Sequence, residues 1–215
     1  MKKIILSAAA ACIAVLTTIG HAQAQNSKPI FGIKAGVDLM TLGSLNQNGV
    51  SVNYDYRAGF QGGLYADVSI SNQVSFMPQL LYTQKGGNIN TTLTNAGTSL
   101  KIIEHVQLNY FDVPLLFAFK PHTNLNLYVG PQVGFFLSQK STATITDGTN
   151  TANDSNTSSD GVRKVVIGGN LGIGYNLAKN AGLDLNYIFD LQHVASQNDT
   201  GEKNSGFVLS VRYAF

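Results

Sequence analysis

The last stretch of the sequence, residues 205–215, reads Ser-Gly-Phe-Val-Leu-Ser-Val-Arg-Tyr-Ala-Phe. Large apolar side chains occupy every second position, and the positions between them are mostly small or polar. The apolar set is Phe207, Leu209, Val211, Tyr213 and Phe215. Because successive side chains of a β-strand point to opposite faces, this period of two predicts a strand with one apolar face. Its 11 residues match the length that a tilted strand needs to cross a bilayer.

The same alternation recurs in seven upstream segments. These segments are 31–40, 56–70, 74–85, 111–119, 125–138, 165–177 and 181–191. Residues 102–110 have the opposite parity to 111–119, which indicates a bulge or a strand that projects beyond the bilayer. Polar stretches predicted as long loops follow the first, third, fifth and seventh strands. The loops predicted after the third and fifth strands span residues 86–101 and 139–161. Short turns follow the second, fourth and sixth strands, so the pattern predicts an all-β, eight-stranded, antiparallel up-and-down transmembrane β-barrel.

The sizes of the side chains on the two faces indicate that the apolar face points outward. The interior of an eight-stranded barrel is just wide enough to be filled by side chains. One parity carries the Phe, Tyr, Leu, Ile and Val residues, whereas the other carries most of the strand glycines, such as Gly36, Gly59 and Gly134. The small set fits inside. A soluble barrel or sandwich with the apolar face inside remains the alternative, because all half-buried sheets alternate in this way.

Charged residues follow the same division. They fall on the parity of the small residues, as expected where a charge facing lipid at mid-depth costs ~2–4 kcal/mol. Five bases and five acids would form a lumen charge network that neutralises itself and closes the barrel. Its predicted members are Lys34, Asp38, Arg57, Asp67, Lys85, Asp112, Lys164, Asp184, Asp190 and Arg212.

Aromatic residues cluster near the strand ends and predict two interfacial girdles. Phe31, Phe76, Phe117, Phe119, Tyr213 and Phe215 fall at the end with short turns, and Tyr56, Tyr82, Phe111, Phe135, Tyr187 and Phe189 fall toward the long loops. Since short turns of such barrels are periplasmic, the long loops are expected to face the exterior.

The N-terminus predicts export. Lys2 and Lys3 precede an apolar run at residues 4–19, and Ala22-Gln23-Ala24 forms a small-residue cleavage site, so residues 1–24 are interpreted as a signal peptide. An N-terminal membrane helix is the less favoured alternative, because the apolar run is short. Residues 25–215 are then the barrel domain. Removing two lysines leaves 12 bases against 12 acids, so no bulk charge predicts nucleic-acid binding.

Several motifs are similar to those of a known family. They are Phe31-Gly-Ile-Lys-Ala-Gly-Val, Gly59-Phe-Gln-Gly-Gly-Leu-Tyr, Pro78-Gln-Leu-Leu-Tyr, Tyr110-Phe-Asp-Val-Pro-Leu-Leu, Tyr128-Val-Gly-Pro-Gln-Val-Gly and the final Tyr213-Ala-Phe. Together they resemble the PorT-like outer-membrane β-barrel proteins of Bacteroidetes-type bacteria, small barrels of the OmpA/OmpX kind. The resemblance implies an eight-stranded barrel in the outer membrane of a Gram-negative bacterium, with insertion by the barrel-assembly machinery reading Phe215. Some members of that family are linked to protein secretion.

Catalytic and metal-binding patterns are weak. His105, His122 and His193 lack metal-ligand spacing, and an enzyme acting on envelope lipid would have to combine His105 with Glu104 or His193 with Asp190. The glycine-rich segment 168–174 lacks the helix that a phosphate-binding loop requires. Residues 147–160 supply Asp and Asn oxygens that could hold calcium, but not at EF-hand spacing. No cofactor or metal site is predicted.

The leading hypothesis from the sequence is a monomeric, non-enzymatic barrel that contacts outer-membrane lipid. Its external loops would bind an extracellular or secretion partner, or contribute to the envelope structure. A barrel enzyme and a small passive pore are the alternatives.

Overall fold

Eleven β-strands make up the structure, a computed structural model that describes residues 28–47, 50–95, 98–147, 150–157, 161–195 and 201–215. The expected signal peptide lies outside the described residues. The strands are β1 Ile30–Thr41, β2 Ser44–Gln47, β3 Val50–Asn53, β4 Arg57–Ser69, β5 Val74–Asn95, β6 Thr98–His122, β7 Leu125–Asp147, β8 Asn150–Asn156, β9 Val165–Asn176, β10 Ala181–Asp190 and β11 Ser205–Ala214. Within these ranges, no helix is long and apolar enough to cross a membrane.

Eight of the strands close into a ring, so the predicted fold class is confirmed. The order around the ring is β1, β4, β5, β6, β7, β9, β10 and β11, and every neighbouring pair is antiparallel. The ring closes between β1 and β11, where Ala35 lies opposite Val211. Strand β10 has 10 residues, which is about the length of a tilted transmembrane strand.

The two faces of the wall differ as the alternation predicts. On β10, Leu183 and Leu185 are exposed on the outside, whereas Asp184 and Asn186 are buried inside. The same outward exposure of large apolar side chains recurs on β1, β9 and β11. An exposed apolar band of this kind matches a hydrocarbon environment rather than water.

Two segments predicted as loops are strands. The segment 86–101 continues β5 to Asn95 and begins β6 at Thr98, and the segment 139–161 contains the end of β7 and all of β8. The polar stretch after β1 also contains the β2–β3 hairpin. Those predictions were wrong because they relied on apolar alternation, which a strand above the membrane does not need.

The parity change in β6 has a chemical origin. Both predicted features exist: β6 projects beyond the barrel, and its register with β7 shifts between Asn109 and Tyr110. The inward face nevertheless keeps the even positions throughout, since Val106, Leu108 and Tyr110 are buried like Asp112. The interior itself therefore changes from polar to apolar toward the loop end.

Candidate functional site: the lumen, its mouth and a projecting sheet

A lower charge group lies in the half of the lumen nearer the short turns. The Asp184 carboxylate receives Lys34 Nζ at 3.1 Å and Arg212 Nε at 2.9 Å. The Tyr128 hydroxyl donates to the same carboxylate at 3.1 Å, and Arg212 also donates to the Asn176 amide oxygen. Asp184 is therefore held by two bases and a phenol.

An upper charge group lies toward the loops. Lys85 Nζ lies 3.4 Å from Asp112 Oδ1 and 3.2 Å from Asp190 Oδ1. Asn204 donates to Asp190 at 3.0 Å, and the ammonium of Lys85 also lies 4.8 Å from the centroid of the Tyr110 ring. The side chains of Lys85, Asp112 and Asp190 are 0–3% exposed, so this cation and these two carboxylates depend on one another rather than on solvent.

Two more residues of the predicted lumen charge network, Asp38 and Arg57, lie near the upper charge group. Asp38 is buried on the inner face of β1. Arg57 occupies the paired strand β4 and donates Nη2 to Gln107 Oε1 at 2.7 Å.

The remaining two predicted members lie elsewhere. Asp67 pairs with Lys120 at 2.7 Å near the short-turn end, where both side chains keep partial exposure. Lys164 was predicted to face the lumen, but it is exposed, with its amine 4.8 Å from the centroid of the Phe136 ring. It differs from the prediction because it precedes Val165, the first residue of β9, so strand alternation does not govern its direction. The ten residues thus form two separate buried groups and two peripheral positions rather than one network.

A chain of amides fills the lumen beside the lower charge group. Lys34 donates to Asn186 at 3.2 Å, Asn186 donates to Asn170 at 2.9 Å, and Asn170 donates to Gln132 at 3.2 Å. Apolar side chains complete the filling in two clusters. These are Met40, Ile188 and Val208 in one, and Tyr65, Met77, Leu116, Ala118 and Tyr128 in the other. The lumen is therefore a packed interior, as expected for eight strands.

An apolar mouth cluster covers the upper charge group at the loop end. Its buried members are Leu42, Val106, Leu108, Tyr110, Phe136, Val162, Val166 and Val194, and Tyr54 packs against it. Three of them, Leu42, Val162 and Val194, lie outside the strands, in connections that are otherwise polar. The sequence prediction missed these residues, and the signal available was an isolated aliphatic residue inside a polar loop.

Hydrogen bonds tie the connections together over this cluster. The amide of Lys203 donates to the Leu42 carbonyl at 2.9 Å, and the amide of Arg163 donates to the Val194 carbonyl at 2.8 Å. The Tyr54 hydroxyl donates to Glu202 at 2.7 Å. The connections at the loop end are therefore held together by hydrogen bonds and cover the lumen.

Tyr54 gives a test of this cover. Burial raises the pKa of its phenol, and the hydrogen bond to Glu202 and the charge of Glu202 raise it further. The phenol of an unfolded chain ionises near pH ~10, so the free energy of unfolding should fall as the pH rises above ~10. A pH titration of urea unfolding should therefore show a steeper alkaline loss for the wild type than for Tyr54→Phe. Equal slopes would contradict the burial of this phenol.

A four-stranded projecting sheet rises beside the mouth. We use this name for the parts of β5, β6 and β7 beyond the barrel together with β8. In it β6 pairs with β5 up to Asn95↔Thr98, β7 pairs with β6 up to Leu100↔Asp147, and β8 pairs with β7. At ~3.4 Å per residue, the dozen or so residues of β6 above the barrel extend roughly 40 Å along the strand.

The outer face of the sheet is joined to the aromatic girdle by a polar row. Tyr82 Oη donates to Asn109 Oδ1 at 2.9 Å, and Asn109 Nδ2 donates to Ser138 Oγ at 2.9 Å. Higher up, Thr144 donates to Asn153 at 2.9 Å. These cross-strand bonds fix the register where apolar packing is sparse.

The outer edge of the sheet is β8. Its residues 151–156 are all exposed, and among the described strands it pairs only with β7. One row of its backbone N–H and C=O groups therefore faces away from the sheet.

Glu104 and His105, one pair considered for catalysis, are directed to different partners on opposite faces of β6. Glu104 accepts from Ser141 at 2.7 Å, whereas the next residue, His105, contacts Asn88 at 2.7 Å on the other face of the strand. Asp190 is buried against Lys85, and His193 lies in the connection between β10 and β11. Among the described residues, His, Asp and Glu side chains form no group of three that could hold a metal ion. The calcium hypothesis for 147–160 falls partly outside the described residues.

The closed ring, the lipid-compatible outer band and the packed interior define a small transmembrane β-barrel protein. The sequence matches the family model described as outer membrane protein beta-barrel domain over residues 22–196, and the chain belongs to this family. The family places the protein in the outer membrane. No curated protein sequence matches the chain.

Solved structures with detectable similarity include three outer-membrane barrels. Ail, the attachment invasion locus protein of Yersinia pestis, is 15% identical with a TM-score of 0.46, covering 88% of this chain and 100% of that chain. Neisserial surface protein A is 17% identical with a TM-score of 0.42 and the same coverage. Acinetobacter baumannii CarO is 11% identical with a TM-score of 0.39, covering 85% of this chain and 97% of that one.

Proposed function

We propose that this protein is a non-enzymatic barrel that displays the projecting sheet at the cell surface and binds an extended polypeptide segment by strand addition to β8. The observation that carries the proposal is the exposed edge of β8, which among the described strands pairs only with β7, so that one row of its backbone donors and acceptors faces away from the sheet. An added strand would satisfy that row, and main-chain hydrogen bonds would supply the affinity.

The side chains of β8 favour a partner rather than aggregation. The strand reads Asn-Thr-Ala-Asn-Asp-Ser-Asn from Asn150 to Asn156, with no large apolar residue. Long, flat, apolar edges aggregate, whereas polar and charged side chains on an edge reduce aggregation. Asp154 adds one negative charge, so a segment with a basic residue opposite it would pair best.

Further parts of the proposal come from the sequence. The resemblance to PorT-like proteins supports a role linked to secretion, in which the bound segment belongs to an exported protein. Residues 1–24 would act as the signal peptide and Phe215 as the signal for barrel assembly. The packed lumen and the mouth cluster favour display over a passive pore, because two apolar clusters, ion pairs and the cover occupy the path.

Strand addition can be tested with a probe taken from the chain itself. A labelled peptide with the sequence of residues 141–147, the part of β7 that pairs with β8, should bind the barrel in nanodiscs saturably by fluorescence anisotropy. Alternate residues of an antiparallel strand direct their N–H to the free edge. Asn153 and Ala152 are neighbours on β8, so proline at one of them removes an N–H that faces the free edge, and proline at the other removes an N–H that faces β7. The variant that loses the outward N–H should bind the peptide about 3–10-fold more weakly, because one hydrogen bond contributes ~0.5–1.5 kcal/mol.

The two proline variants control for each other. The variant that removes a bond to β7 should loosen the sheet, which far-ultraviolet circular dichroism would report, while the other should leave the spectrum unchanged. A scrambled peptide of the same composition should bind less tightly. Strand addition would be contradicted if the scrambled peptide bound as tightly as the 141–147 peptide, or if both proline variants bound the 141–147 peptide as tightly as the wild type.

A further inference from the structure

The mouth-side face of the projecting sheet carries two rows of side chains that end at β8. This face is the one that includes Val106 and Leu108, which are buried in the mouth cluster. Because cross-strand partners share a face and alternate residues of a strand return to it, the strand register identifies the rest of the face. The aliphatic row is Thr91, Ile102, Ile145 and Ala152, and the acidic row is Ile89, Glu104, Ala143 and Asp154.

The aliphatic row is open at the β8 end. Ile102 is half-buried, whereas Ile145 is 41% exposed and Ala152 is exposed. A strand added to β8 would place one side chain opposite Ala152, two strand spacings of ~4.8 Å away from Ile145. Because the alanine side chain is short, a large apolar side chain at that position reaches across it and contacts Ile145. A small or polar side chain would leave Ile145 exposed to water, so the row favours a large apolar residue.

The acidic row ends in an exposed carboxylate. Asp154 is exposed and forms no ion pair with a described residue, and Glu104 adds a second carboxylate to the same row. No described side chain on the mouth-side face of the sheet is basic. The opposite face of the sheet carries Lys101 and Lys140, and none of its described side chains is acidic. A basic side chain of an added strand would therefore be attracted on the mouth-side face and not on the opposite one.

The strand register fixes the order of the two side chains in a bound segment. The neighbouring strands of the projecting sheet are all antiparallel, so we take an added strand to run antiparallel to β8. Its residue opposite Asp154 then comes two positions before its residue opposite Ala152. Strand β7 shows this order on the other side of β8, where Ala143 lies opposite Asp154. Ile145, two positions later, lies opposite Ala152.

We infer that β8 selects extended polypeptide segments in which a lysine or arginine stands two positions before a large apolar residue. This inference rests on the proposed strand addition and specifies its partner. Main-chain hydrogen bonds are available to any extended sequence, so they supply affinity, and the side chains opposite Asp154 and Ala152 supply the selectivity. A register slip of one residue turns every side chain to the other face, so the basic and the apolar residue must be presented together.

Two variants of the labelled 141–147 peptide test the selectivity by fluorescence anisotropy with the barrel in nanodiscs of zwitterionic lipid. The lysine peptide carries Ala143→Lys, which places a base opposite Asp154 and two positions before the isoleucine. The offset peptide carries Ala143→Thr and Thr144→Lys, so it has the same composition but directs its base to the opposite face. The lysine peptide should bind about 2–5-fold more tightly than the offset peptide, as expected for one cross-strand ion pair, and high salt should reduce the difference. Adding Ile145→Ala to the lysine peptide should weaken its binding by a similar factor of about 2–5.

Two barrel variants complete the test. Asp154→Asn should remove the advantage of the lysine peptide, whereas Asp67→Asn, which removes an aspartate paired with Lys120 near the short-turn end, should preserve it. Equal binding of the lysine and offset peptides to the wild type would overturn the inference, as would an advantage that persists in Asp154→Asn. In either case strand addition itself would stand if the unmodified 141–147 peptide still bound more tightly than its scrambled form. If no peptide bound at all, strand addition and this inference would both be overturned.

Discussion

Lys85→Met should lower the free energy of unfolding by about 3–5 kcal/mol, the expected cost of leaving a buried charge without its partner. Lys85 serves two buried carboxylates, Asp112 at 3.4 Å and Asp190 at 3.2 Å. Methionine keeps most of the side-chain volume, so the loss would come from the uncompensated carboxylates rather than from a cavity. Urea unfolding in lipid vesicles, followed by circular dichroism, measures it.

Two comparisons separate this electrostatic effect from general damage. Lys120→Met removes a base of the same length from the partly exposed pair with Asp67, where a loss of only ~0–1 kcal/mol is expected. Adding Asp112→Asn and Asp190→Asn to Lys85→Met removes the stranded charges and should restore much of the stability. A Lys85→Met loss as small as that of Lys120→Met would mean that the upper group is hydrated rather than mutually dependent.

Leu185→Arg should destabilise the folded barrel in lipid by about 2–4 kcal/mol. Leu185 lies in the middle of β10, outward, between Ile173 of β9 and Leu209 of β11. A guanidinium at this point would face the hydrocarbon near mid-depth. The measurement is again urea unfolding in vesicles.

The control for this prediction is Ile145→Arg. Ile145 is similarly exposed, 41% against 45% for Leu185, but it lies on the projecting sheet above the barrel. Its substitution should change the stability by less than ~0.5 kcal/mol. If the two arginine variants were equally tolerated in vesicles, the outward apolar band would not be in contact with lipid.

Alternation in the sequence predicted the barrel well because lipid on one side and a narrow lumen on the other impose a strict period of two. Strands such as β10 and β11, with apolar residues at every second position, were placed to within a residue or two. Above the membrane that constraint disappears. The end of β5, Asn-Ile-Asn-Thr-Thr-Leu-Thr-Asn from residue 88, is a strand because β6 pairs with it, and its composition alone indicates a loop.

The candidate sites were less predictable, since they depend on which strands face one another across the lumen. Parity placed Lys85, Asp112 and Asp190 inside, but their meeting requires β5 and β6 to face the end of β10.

The pairing of β1 with β11 has a consequence for how the molecule is made. This junction joins residues such as Gly32 and Ala214, which are far apart in the chain, whereas most other neighbours in the ring are consecutive along it. Until β11 arrives, β1 has an open edge whose amides and carbonyls could not be tolerated in hydrocarbon. Contacts between distant residues also form slowly, because the chain loses entropy in closing a large loop. A partly synthesised chain therefore has no stable way to reside in the bilayer, and insertion must wait for, and proceed together with, the joining of its first and last strands.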